Sequence, residues 1–141
     1  MQTLYTAVAT ATGGRQGHVR SDDGVLDLNT SVPKSMGGPG GASTNPEQLF
    51  AAGYSACFQS AMLFVAGQQK LHPGETHVTG QVSIGPKEGG GFMLAVKHVI
   101  DVPGLDQSAA EKLVHDAHQV CPYSNATRGN VDVQFEVKGG A

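Results

Sequence analysis

The longest apolar run lies between Leu49 and Val65, interrupted by Gly53, Ser55, Gln59 and Ser60. A run of this length with no strict alternation reads as a helix and not a strand. Its start carries several signals. Asn45 suits the N-cap, Pro46 suits the first helical position, and Gln48 stands where a capping box needs its third residue. The pattern predicts a helix from Pro46 to about Val65 or Ala66, ended by Gly67. Because it is small or apolar nearly all round, the expectation is a central helix buried on most sides.

Elsewhere the period is two. Residues 3–10 carry strand formers, and a Gly-Gly-Arg turn follows at 13–15. Residues 18–20 and 25–28 are short strands around Asp23-Gly24, a pair that tolerates a hairpin turn. Residues 77–84 place Val78, Val82 and Ile84 on one face. Phe92, Leu94, Val96, His98, Ile100 and Val102 alternate likewise, with the loop GPKEGGG between the two runs. Ser108 and Glu111 form a second capping box, opening a helix over 109–120 that Pro122 ends. In the last strand Val131, Val133, Phe135 and Val137 point inward. The order β-β-β-α-β-β-α-β clusters strands instead of alternating them with helices. That predicts an α+β fold of antiparallel sheets around the central helix, as one domain over 1–141.

Composition narrows the function. At 141 residues, 39% hydrophobic and 15% charged, the chain suits one globular domain. A net charge of −3 gives no basic footprint for nucleic acid or anionic lipid. The first residues, MQTLYTAVATATGG, lack a charged region followed by an apolar core, so no signal peptide is expected. The helical run is interrupted by polar residues and is expected to be core, not a membrane span. A cytoplasmic location follows as the expectation. There, two cysteines suggest reactive, metal-binding or buried thiols and not a stable structural bridge.

The candidate chemistry rests on few residues. Cys57 sits mid-helix, where a thiol is as consistent with a small buried hydrophobe as with a nucleophile. Cys121 stands at a helix end in VCPYSNATRGN, as a packing residue or an accessible thiol. No CxxC joins them, which excludes a thioredoxin-type motif. A peroxide-reducing pair needs only one activated thiolate and a second thiol within reach. Arg15 is a candidate activator, since a guanidinium favours thiolate over thiol; otherwise it is a solvated turn residue. Glu47, in the first turn of the helix, is either a dipole-matched carboxylate or an ion-pair partner that orients Arg15. Ten residues of helix rise ~15 Å, so Glu47 reaches Cys57 only through Arg15, a bend or a second subunit. A metal is the rival: His115, His118 and Cys121 fall on about one side of a helix and could hold zinc. The glycine-rich KSMGGPGGAST matches no phosphate-binding pattern and reads as a flexible approach to the helix.

Two long segments carry a resemblance. TNPEQLFAAGYSACF (44–58) and VCPYSNATRGN (120–130) are similar to the two hallmarks of the organic hydroperoxide resistance branch of the OsmC/Ohr family. GRQGHVRSDDGVLDL (14–28) resembles that family's N-terminal segment, and GGPGGASTNPEQ its glycine-rich approach. Ser55, where Ala is commoner, is a small departure. The resemblance spans nearly the whole chain. It implies an OsmC/Ohr-like fold as an intertwined homodimer with two sites at the interface. It also implies a thiol-dependent peroxidase that reduces organic hydroperoxides, including those of fatty acids, to alcohols. Cys57 would be peroxidatic and Cys121 resolving, forming a disulfide with each other, and Arg15 and Glu47 would form an ion pair serving Cys57. No cofactor or metal is expected. The reductant would be an external dithiol, the lipoyl group of 2-oxoacid dehydrogenase subunits. Phe58, Met36 and residues 35–43 are candidates to line the peroxide pocket. The osmotically induced OsmC branch, with another peroxide preference, stands as the near alternative, though YSNATRGN favours Ohr.

Overall fold

A computed structural model describes residues 1–140. The fold is α+β, with two three-stranded sheets and three helices, in two compact units, Met1–Leu49 and Phe50–Ala141.

The first unit is built on the antiparallel sheet β1 (Ala9–Thr12), β2 (His18–Ser21) and β3 (Asp27–Asn29). The Asp23-Gly24 hairpin forms as expected. Gly24 takes φ 75°, and the Asp23 carboxylate accepts from the Val25 N–H at 3.0 Å and the Ser21 hydroxyl at 2.6 Å. The first strand is shorter than its sequence suggests. Among the described residues, 3–8 have no strand partner, and Leu4 and Tyr5 stand almost fully exposed. Between β1 and β2 the chain makes a single 3-10 turn, Gly14–Gln16. Gly17 closes it where a Cβ would meet the Thr12 carbonyl oxygen at 1.8 Å, so only glycine fits. Buried Thr30 anchors this turn. Its hydroxyl donates to the Gly14 carbonyl and accepts from the Gly17 N–H, both at 2.8 Å, and its own N–H donates to the Gly17 carbonyl at 2.8 Å. An isolated bridge pairs Thr30 with Thr44, one residue before the N-cap of the long helix.

That helix, α1 (Pro46–Gln68), starts as its sequence dictates: the Asn45 side chain accepts from the Gln48 N–H at 2.8 Å. The capping box is not closed, because the Gln48 side chain instead accepts from the Thr44 hydroxyl. The helix runs past Gly67, and it is buried on one face only. Tyr54, Phe58, Ala61, Met62, Val65 and Ala66 are buried, whereas Leu63 and Phe64 are about half exposed. Uniform apolarity therefore overstated burial within the chain. By length and composition α1 could cross a membrane, but its Tyr54–Val65 face forms the core of the second unit.

The second unit packs that face on a sheet of β4 (His77–Pro86), β5 (Phe92–Asp106) and β6 (Asp132–Gly140), in the order β4-β5-β6. β4 and β5 form the expected antiparallel hairpin. β6 lies parallel to β5, a departure from an all-antiparallel arrangement. The connection explains it: α2 (Gln107–Val120) and α3 (Pro122–Thr127) carry the chain back to the start of the sheet, as parallel pairing requires. α2 is capped by Asp106, whose carboxylate accepts from the Ala109 N–H at 2.8 Å, and not by Ser108. Pro122 does not merely end α2, as its sequence predicts; it also opens α3. Val96, Ile100 and Val102 of β5 are buried, but Phe92 at the strand's start is exposed. Gly80 in β4 lets α1 approach, since a Cβ there would lie 2.6 Å from the Ser55 hydroxyl.

One core group is polar. His98 is fully buried, stacked near Phe58 and Phe135, with neither ring nitrogen hydrogen-bonded. Burial, reinforced by nearby His118, pushes its pKa down to about 4. His118 is shifted the same way by burial and by Arg128 and His115.

Two predictions follow from this packing. In the unfolded chain His98 takes up a proton near pH 6.5, whereas in the fold it does so only near pH 4. Stability is therefore full above pH 6.5 and falls as pH drops towards 4, by about 3 kcal/mol from this group alone. Urea unfolding at stepped pH should show that decline, and His98→Leu should flatten most of it. Thr30→Val keeps the shape of the side chain but leaves the Gly17 N–H and Gly14 carbonyl without that partner. It should cost about 1–3 kcal/mol in the same assay.

Candidate active site

The four residues singled out in the sequence form two pairs, one in each unit. In the first unit Arg15 and Glu47 make a two-pronged ion pair, Nη1 to Oε2 at 2.8 Å and Nη2 to Oε1 at 2.6 Å. The planar guanidinium matches the carboxylate, which makes this geometry stronger and more specific than a single contact. The pair is part-buried, with the Glu47 side chain 14% exposed and that of Arg15 33%. Each charge holds the other ionised. The hydrogen bonds from Arg15 keep Glu47 below the usual carboxylate range against a smaller desolvation effect, and those to Glu47 raise Arg15. The pair forms because two elements are fixed independently: the Thr30-anchored turn carries Arg15, and the Asn45-capped first turn of α1 carries Glu47. Thr30 was not singled out by sequence reasoning. Its only signal is that it is the threonine that directly follows β3, the short strand paired with β2.

In the second unit Cys57 and Cys121 meet. Cys57 lies on α1, partly exposed; Cys121 is fully buried in the break between α2 and α3; their sulfurs are 3.5 Å apart. Both are free thiols. The separation is contact distance for two thiols, and a small inward shift makes a bond of about 2.05 Å. Cys121 occupies the break because its backbone leaves the helix, with φ −60° and ψ 122°, while its N–H still donates to the Ala117 carbonyl. Desolvation pushes the Cys57 thiol above its ordinary range, with a further rise from Cys121; the Tyr123 N–H acts in the opposite sense. An apolar cleft of about 400 Å³ opens beside Cys57, lined by Ser60, Ala61, Phe64, Val120 and Pro122. The pocket candidates fare unevenly. Phe58 is in the core and does not line this cleft, and Met36 belongs to the first unit.

The zinc alternative is not supported by the geometry. His115 is exposed, the His118 ring packs edge-on against Phe135, and Cys121 turns to Cys57. Among the described residues no three His, Cys, Asp or Glu side chains are placed to hold a metal ion.

Similarity to known proteins extends along nearly the whole chain. Residues 38–136 match the family described as OsmC-like protein. The organic hydroperoxide resistance protein of Xanthomonas axonopodis pv. citri is 57% identical over 133 residues, covering 94% of this chain and 93% of that protein. The organic hydroperoxide resistance protein OhrB of Bacillus subtilis is 50% identical over 136 residues, covering 96% and 98%. The crystal structure of an organic hydroperoxide resistance protein from Elizabethkingia anophelis superimposes with a TM-score of 0.94 at 54% identity, over 99% of this chain and 100% of that one. With a matched segment crossing both units and relatives this similar along nearly its whole length, the chain belongs to the OsmC/Ohr family.

Proposed function

We propose that the protein is a thiol-dependent peroxidase that confers resistance to organic hydroperoxides. The observation that carries this reading is the meeting of one accessible and one buried thiol at 3.5 Å beside an apolar cleft. The relatives named above add the substrate class. The Cys57 thiolate attacks the distal peroxide oxygen. The O–O bond breaks, the alkoxide leaves and takes a proton to become the alcohol, and Cys57 becomes a sulfenic acid. The Cys121 thiol then attacks that sulfur, water leaves, and a Cys57–Cys121 disulfide forms. An external dithiol, the lipoyl group of a 2-oxoacid dehydrogenase subunit, reopens it by exchange. No bound cofactor takes part.

Burial alone raises the Cys57 thiol, so the attack needs a cation close by. Arg15 is that cation, held ready by Glu47, and it also stabilises charge on the departing oxygen. The two units act as one OsmC/Ohr-like domain, and the working form is an intertwined homodimer with two sites at its interface. The half-exposed Leu63 and Phe64 on α1, and the exposed Leu4 and Tyr5, supply apolar surface for such a contact. The setting is the cytoplasm, where a dithiol reductant is at hand.

Peroxide consumption by the purified protein tests this, with cumene hydroperoxide or hydrogen peroxide as oxidant and dihydrolipoamide as reductant. Fast loss of the organic peroxide is expected, abolished by Cys57→Ser. Cys121→Ser should complete one turnover and then stall or overoxidise. Absence of turnover with either peroxide in the wild type would sink the proposal. Arg15→Ala and Glu47→Gln should both fold, with turnover cut by about a hundredfold in the former and less in the latter; an unchanged rate in Arg15→Ala would remove the guanidinium from the mechanism.

A further inference from the structure

Tyr54 and Ser124 are fully buried polar residues that the mechanism above leaves unused. The Tyr54 hydroxyl lies 2.8 Å from the Ser124 hydroxyl and 3.1 Å from that of Thr127. Thr127 in turn donates to the Ser124 carbonyl at 3.2 Å. The three hydroxyls form a closed network between α1 and α3, far from water.

Their position relative to the thiols is regular. Tyr54 precedes Cys57 by three residues on α1, so the two side chains lie on one face, a turn apart. Ser124 follows Cys121 by three residues. The Tyr54–Ser124 hydrogen bond is therefore a second cross-link between the same two segments that the thiols join, set beside the Cys57–Cys121 contact. α3 needs such a link. A six-residue helix is too short to hold itself, and it begins directly at the break occupied by Cys121. It also carries the Tyr123 N–H, which acts on Cys57. The Tyr54 ring is already fixed against His98, with centroids 4.3 Å apart, so its hydroxyl is a rigid anchor and not a tethered one.

Resting on the peroxidase reading, we infer that Tyr54 is a positioning residue for the disulfide-forming step: its hydroxyl holds α3 so that Cys121 stays in contact with Cys57. It does not touch peroxide. Its loss leaves the first oxidation nearly intact and slows closure, in which the Cys121 thiol displaces water from the Cys57 sulfenic acid. The longer-lived sulfenic acid is then exposed to a second peroxide and passes to sulfinic acid.

The test is Tyr54→Phe, which keeps the ring and removes only the hydroxyl. In stopped flow with one equivalent of cumene hydroperoxide, peroxide consumption should stay within about threefold of wild type. Loss of the Cys121 thiol should slow by about tenfold or more, and mass spectrometry should find more sulfinic acid on Cys57. Ser124→Ala should reproduce the slowing, and the double variant should be no slower than either single one, because one network is broken in each. A purely structural role would lower the thermal midpoint and slow both steps alike. Diamide gives a second arm that needs no peroxidase activity. The Cys57 thiolate adds to its N=N bond, and Cys121 displaces it as the hydrazine to form the disulfide. Slowed closure with diamide in both variants supports the anchor even if wild-type protein consumes no peroxide, in which case only the peroxidase reading falls. Closure at the wild-type rate in Tyr54→Phe, with either oxidant, overturns it.

Discussion

The thiol pair depends on one packing contact, the burial of the Tyr54–Phe58–Met62 face of α1 on the β4–β5–β6 sheet. Phe58 lies against His98 and Phe135, with ring centroids at 5.3 and 5.2 Å, and Phe58 and His98 are fully buried. Each such side chain contributes about 1.5–3 kcal/mol by leaving water, so the helix has one stable depth and one stable rotation. Cys57, next to Phe58 in sequence, is thereby turned to the edge of the core. There it is close enough to Cys121 to bond and open enough to be reached. A change of rotation that buried Cys57 fully would bring a different, exposed residue beside Cys121. Gly80 serves the same constraint from the sheet side, by letting the helix come close.

The two pairs solve opposite electrostatic problems. Arg15 and Glu47 are charged and keep partial access to water, and each stabilises the charge of the other. Cys57 lies in surroundings whose desolvation favours its neutral thiol. On the mechanism proposed above, the reactivity of Cys57 is conditional on a cation.

Much of this was legible in the sequence where the signal is local. Asn45 and Pro46 fix the start of α1 through bonds made within one turn, and the period-two runs of β4, β5 and β6 report which face is buried. Asp23-Gly24 names its own turn. The losses came where a distant partner decides. Asp106 and Ser108 are both sound caps, and the geometry of the chain leaving β5 selects Asp106. The segment after Pro122 carries Ser, Asn and Gly, which read as a turn until Tyr54 supplies a partner for its hydroxyls. The apolar far side of α1 looks the same in sequence whether it faces the same chain or another surface. Parallel pairing of β5 and β6 leaves no mark on either strand, since alternation is common to both kinds of ladder. The thiols themselves were plain as candidates, but only the resemblance, and then the fold, joined two residues so far apart in the chain.

The parallel placement of β6 has a consequence for the order in which the molecule is made. β4 and β5 pair through a short hairpin as soon as both have left the ribosome, whereas β6 follows only after α2 and α3. Until β6 emerges, β5 keeps one open edge and the core lacks Val133, Phe135 and Val137. The nascent chain thus carries a sheet template, an unfilled apolar layer and two unpaired thiols at once, a state prone to mispairing. The arrival of β6 both closes the sheet and completes the layer against which α1 and its cysteine come to rest.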